Sequence, residues 1–169
     1  MKKLSTLTLF SLLVVSQQAS AGPAPVYVND SITENRVYAG IVFDLDGSDG
    51  FMPDLVVGVR TLHVKSSDSV EGADLSGRVS FNKHDKGVMF DSARLVYVGG
   101  ERDVMGNMGI GYSNTHGSFL GTVAVLGPYT RLGTDFEFGK NKFEPYLEIN
   151  TLNKPDDVDQ KQIINLPPP

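Results

Sequence analysis

Cysteine and tryptophan are both missing from the 169 residues. Without cysteine the chain cannot be a small disulfide-stapled domain, hold zinc through thiolates or use a thiol nucleophile. A basic surplus is lacking too. The formal net charge is −5 and no Lys/Arg stripe is present, so the sequence speaks against nucleic acid as a partner. Nor does any apolar run reach the roughly 20 residues a spanning helix needs. The apolar run from Leu7 to Val15 falls well short. After that run no helical periodicity of useful length appears, which leaves strands to build any core and to cross any membrane.

The first residues read as an export signal. Lys2 and Lys3 precede the apolar run, and Ala19-Ser20-Ala21 supplies the small-residue pattern for cleavage before Gly22. Residues 1–21 are thus expected to be a signal peptide and 22–35 a Pro-rich lead. Residues 36–152 form one β-domain, and 153–169 a polar tail ending in prolines.

What is present is alternation. In "RVYAGIVFDLD", Val37, Ala39, Ile41, Phe43 and Leu45 share one face and Arg36, Tyr38, Asp44 and Asp46 the other. In "ADLSGRVSFN", Ala73, Leu75, Gly77, Val79 and Phe81 oppose Asp74, Ser76, Arg78, Ser80 and Asn82. Strands are also expected over 54–65, 88–99, 104–113 and 118–126, and in "YTRLGTDFEF" and "KFEPYLEINTL". The links between them are short and rich in turn formers, as antiparallel neighbours require. The fold class is therefore all-β: an eight-stranded antiparallel up-and-down meander, closing into a barrel because closure removes exposed edges. Pro145 inside the last strand removes a ladder donor and leaves complete closure there open.

Two stretches invite a metal or phosphate reading and fail it. "DLDGSDGFMPDL", counted from Asp44, has Asp49 where an EF-hand loop needs glycine and Leu55 where it needs a bidentate Glu. It reads as a strand end and a turn. The glycines around Gly106, Gly109 and Gly111 do not open a helix, so they are no phosphate loop. No metal-ligand spacing is visible, and no cofactor is expected.

The polar face holds arginine in strand interiors, at Arg60, Arg78, Arg94 and Arg131, with Asp74, Asp135, Glu137, Glu144 and Glu148. Lysines after the signal sit at strand ends, in loops or in the tail. Arginine's planar fork suits buried carboxylate pairs while lysine prefers water. These nine residues are expected to form a polar network filling a narrow lumen, with the apolar face outward. Aromatic residues gather at strand ends, among them Phe81, Phe90, Tyr112, Phe119, Tyr129, Phe138 and Phe143, where interfacial girdles belong.

On strands such as "GPYTRLGTDFEF" and "EPYLEINTL", the chain over residues 36–152 resembles the small eight-stranded outer-membrane barrels of Gram-negative bacteria. The resemblance implies a cell-envelope protein in the outer membrane, in contact with its lipid, with a structural or interaction role. An eight-stranded lumen is filled by its own side chains, so a general diffusion pore is not expected. The chain departs from such barrels in running on from "INTL" into a polar tail instead of ending at a terminal aromatic. The alternative is a soluble periplasmic or secreted lipocalin-like barrel holding an apolar ligand. A third reading, a lipid A deacylase-like hydrolase, rests on His116, Ser118 and Glu137. That family carries a His two residues before a Ser-Asn pair, whereas Phe119 follows Ser118 here, so no catalytic residue is assigned.

Overall fold

In the computed structural model the described residues are 26–27, 30–47, 52–81, 87–158 and 162–163. The expected signal peptide and most of the lead lie outside them, as do His84 and the centre of the "GSDG" turn. Ten strands follow in order: β1 (Val26–Tyr27), β2 (Ser31–Asp44), β3 (Asp54–Lys65), β4 (Ser69–Phe81) and β5 (Val88–Glu101). Then come β6 (Met105–Ser113), β7 (Ser118–Gly127), β8 (Thr130–Glu137), β9 (Lys142–Asn150) and β10 (Gln162–Ile163). Strands β2 to β9 form a closed barrel in sequence order, every neighbour antiparallel. β1 and β10 pair separately.

β2 begins at Ser31, not Arg36, because Ser31–Asn35 pair with Thr61–Lys65 of β3. β4 likewise starts at Ser69 rather than Ala73, zipped to the ends of β3 and β5. The β4 extension falls at a tight connection, where the hairpin carries the ladder down to the turn, and the β2 extension runs beside the end of β3. Asp68 and Tyr129 take positive φ in the β3–β4 and β7–β8 turns, at 63° and 61°.

The barrel is closed despite Pro145. The β2–β9 ladder runs from Gly40 opposite Asn150 to Asp44 opposite Tyr146 and stops one residue short of the proline. The Pro145 carbonyl still accepts the Leu45 N–H at 2.9 Å. Proline therefore removes a donor only at the end of the seam, where β2 leaves the sheet. This seam holds five residue pairs, fewer than any other join in the barrel. Below it the tail takes over, since Thr151 N–H donates to Ala39 O at 3.0 Å.

The sheet is amphipathic in an inverted sense. Along β4, Asp74, Ser76, Arg78 and Ser80 are buried while Leu75 is 52% exposed. Along β5, Arg94 is 3% exposed and its neighbour Leu95 54%. The outer wall carries Val37, Val57, Val59, Ile110, Val123 and Leu132, all exposed. Six of the aromatic residues noted above, all but Tyr129, lie at the end opposite the chain termini, and all are exposed. Tyr112 packs edge-on to Phe119 there, and Phe136 contacts both Phe138 and Phe143.

Candidate functional site

The interior is built in three layers. Nearest the termini is an apolar layer of Leu62, Val64, Val70, Val96, Val98, Met105 and Leu126, into which the tail inserts Val158. The tail was expected to be a polar appendage. The chain after β9, residues 151–158, instead crosses the barrel end, burying Leu152 and, within the tail, Pro155 and Val158. It is tied by its backbone: Arg36 donates to the carbonyls of Asn153 and Lys154, and Arg102 to that of Pro155. Ion pairs join Arg102 to Asp157 at 3.0 Å and Lys154 to Asp103. The hydrogen bond from Lys154 holds the Asp103 carboxyl below its ordinary value.

The middle layer is ionic. Asp74 is its hub. Oδ2 accepts from Arg60 Nε at 2.8 Å and from Arg131 Nη2 at 2.7 Å, and Oδ1 accepts from Tyr38 OH at 2.9 Å. Arg131 also reaches Glu148 at 3.2 Å, and Asn150 donates to the same carboxylate at 2.7 Å. Room for the two tyrosines comes from facing glycines. A Cβ on Gly58 would lie 2.6 Å from the Tyr38 ring, and one on Gly133 would lie 2.8 Å from that of Tyr146. The rings lie under guanidinium groups, with Arg60 5.6 Å from the Tyr38 centroid and Arg94 5.1 Å from that of Tyr146.

Higher up, Arg78 Nε donates to Asp54 at 2.6 Å and Nη2 pairs with Asp44. Asp91 joins at 3.8 Å because of a bulge. The β4–β5 register slips between Arg78 and Val79, so Arg78 faces Ser92 and Val79 faces Phe90. Asp91 is the extra residue, and it points inward together with Ser92. Arg94 pairs with Asp135.

Eight of the nine residues expected in the network are buried inside the barrel: Arg60, Arg78, Arg94, Arg131, Asp74, Asp135, Glu137 and Glu148. The ninth, Glu144, is half-buried at the rim, beside Lys142 at 3.4 Å. Sequence reasoning missed Asp54 and Asp91 as lumen groups. Asp54 opens a strand of irregular pattern, and Asp91 is out of phase with its neighbours until the bulge is known. The two buried tyrosines carried no signal beyond their place on polar faces.

The third layer is a mouth at the loop end, a cavity of about 220 Å³ whose lining includes Arg78, Asp91, Arg94, His116, Glu137 and Glu144. Here the structure brings His116, Ser118 and Glu137 together, but not as a charge-relay set. Ser118 Oγ donates to Glu137 Oε1 at 2.8 Å, and His116 Nδ1 lies 3.0 Å from Glu137 Oε2. The carboxylate stands between hydroxyl and imidazole, whereas an acyl-transfer triad needs imidazole between the other two. No helix among the described residues is long and apolar enough to cross a membrane. Comparison with family models, with curated proteins and with solved structures gives no match for this chain.

Proposed function

We propose that this chain is a small outer-membrane β-barrel protein of the cell envelope, with a plugged lumen and a structural or interaction role. The observation that carries this reading is the inverted wall: aliphatic and aromatic side chains stand on the outside of all eight barrel strands, and the charge lies within. In water such a wall would leave a continuous apolar surface around the molecule. In lipid it is the face a barrel must present. The aromatic ring at the loop end matches an interfacial girdle, with Tyr97 and Tyr129 exposed towards the other end. The short turns 66–68, 102–104 and 128–129 lie at the end that bears both termini, as periplasmic turns do.

A soluble ligand-binding barrel needs an apolar, accessible interior. Here the middle of the lumen holds four arginines and their carboxylates, and the apolar layer is filled by its own side chains and Val158. The same filling opposes a diffusion pore. The test is fractionation of the native host or an expression host: the protein should resist alkaline carbonate and need detergent for extraction. Release into the soluble periplasmic fraction would overturn the proposal. A membrane-impermeant thiol reagent on intact cells should label Lys140→Cys and not Asp157→Cys, both positions being solvent-exposed.

A further inference from the structure

The mouth holds a group of side chains that the structural role does not use. His116 sits in the β6–β7 turn, Glu137 ends β8 and Glu144 lies near the start of β9. Their donor atoms, an imidazole nitrogen and two carboxylate oxygens, all lie within 4.8 Å of one another. We infer that these three residues form a binding site for a divalent transition metal at the loop-end mouth of the barrel, with Zn²⁺ as the ion that suits the donor set.

Glu137 is 2% exposed, yet its Oε2 is buried and accepts no hydrogen bond. The neighbouring His116 Nδ1 lies close, at 3.0 Å, without the alignment of a hydrogen bond. A buried carboxylate oxygen without a hydrogen bond is costly to keep. A metal ion would satisfy it. The other oxygen of the same carboxylate is held by Ser118 Oγ at 2.8 Å, the kind of outer hydrogen bond that orients a ligating carboxylate. The turn that carries the imidazole is fixed as well, because His116 N–H donates to Ser113 Oγ at 3.2 Å and Gly117 takes a φ of +62°.

Charge points the same way. Among the described residues lining the mouth, six are acidic and four are Arg or Lys. Among the described residues, Lys140 lies 3.5 Å from Glu137 and Lys142 3.4 Å from Glu144. Both ammonium groups are nearly half exposed; Lys140 can swing into water when a doubly charged ion takes its place, and Lys142 keeps its hydrogen bond to Asp46 at 2.6 Å. One imidazole with carboxylates is a zinc-type donor set, whereas a calcium site is built of oxygens alone. Three protein ligands leave the fourth position of a tetrahedral ion to water from the adjoining cavity. The site does not depend on which solvent covers the outer wall.

The test is a titration of untagged, folded protein with Zn²⁺ against a chromophoric chelator, with folding checked by heat-modifiable gel mobility. One equivalent should bind per chain. His116→Ala and Glu144→Gln, both at the rim, should each weaken binding at least tenfold with the barrel intact. Lys140→Ala should tighten it, a gain that misfolding cannot mimic. Zn²⁺ affinity unchanged in both ligand variants, or Ca²⁺ binding as tightly and without regard to His116, would overturn the assignment.

Discussion

Asp74→Asn is the most direct test of the ionic layer. The amide is isosteric and its carbonyl can keep the Tyr38 hydrogen bond, so packing is preserved and only charge is removed. Arg60 then loses both contacts to Asp74 Oδ2, at 2.8 Å from Nε and 2.8 Å from Nη2, and no other carboxylate contacts it among the described residues. Arg131 retains Glu148. One guanidinium, buried to about one part in twenty exposed, is left without a counter-charge. Breaking a buried pair from one side costs about 3–5 kcal/mol, against roughly 0–1 kcal/mol for a pair in water. The expected loss for the barrel refolded in detergent is therefore about 3–5 kcal/mol in a urea titration. The double variant Arg60→Met/Asp74→Asn should recover much of that loss, because the stranded cation is gone. A change below about 1 kcal/mol in the single variant, or no recovery in the double, would refute the argument that the lumen is desolvated.

Leu95→Arg places a charge on the outer wall at mid-strand. It should cost about 2–4 kcal/mol if that wall meets lipid, and stay within about 0.5 kcal/mol if it meets water; refolding in lipid vesicles followed by denaturant titration measures it. Leu152→Ala removes a buried side chain between β9 and the tail. A loss of about 2–5 kcal/mol is expected, and faster proteolysis near Lys154 should accompany it. The Asp103–Lys154 contact sets a pH dependence. The folded carboxyl titrates below its unfolded value, so its contribution is present above about pH 3.9 and is lost as pH falls through the lowered value. A spin label at Asn153 should stay immobile from pH 8 to pH 5 and gain mobility only below about pH 4.

The strands were readable because period-two alternation survives in almost all of them, and the composition of the polar face already indicated its direction. Arginine at positions 60, 78, 94 and 131 with lysine confined to ends is a pattern that only an ionic interior explains well. What could not be read depends on register. Asp91 faces inward only because the β4–β5 ladder slips by one residue, and no single-strand pattern encodes a slip between two strands. The mouth cluster is the same case, since His116, Glu137 and Glu144 are assembled by two hairpins from positions with no common spacing. The tail from Asn153 reads as polar because its charges stand out, yet Pro155 and Val158 are what it buries, after Leu152 just before it.

The short β2–β9 seam has a bearing on how the molecule comes together. Every other join in the barrel links strands adjacent in sequence and can form as a local hairpin. The seam alone must bring Gly40 to Asn150, an entropic cost of about 4 kcal/mol by loop-closure scaling, and it answers with five residue pairs. Of the joins in the barrel, the seam therefore carries the largest closure cost and the fewest pairs to offset it. Residues 151–158 extend it: the Thr151 bond to Ala39 and the Arg36 contacts to Asn153 and Lys154 lie along the part of β2 that β9 does not reach. The tail acts as a latch on the closing edge. A chain cut after Asn150 would keep every hairpin and the five pairs of the seam, and lose the latch that extends it along β2.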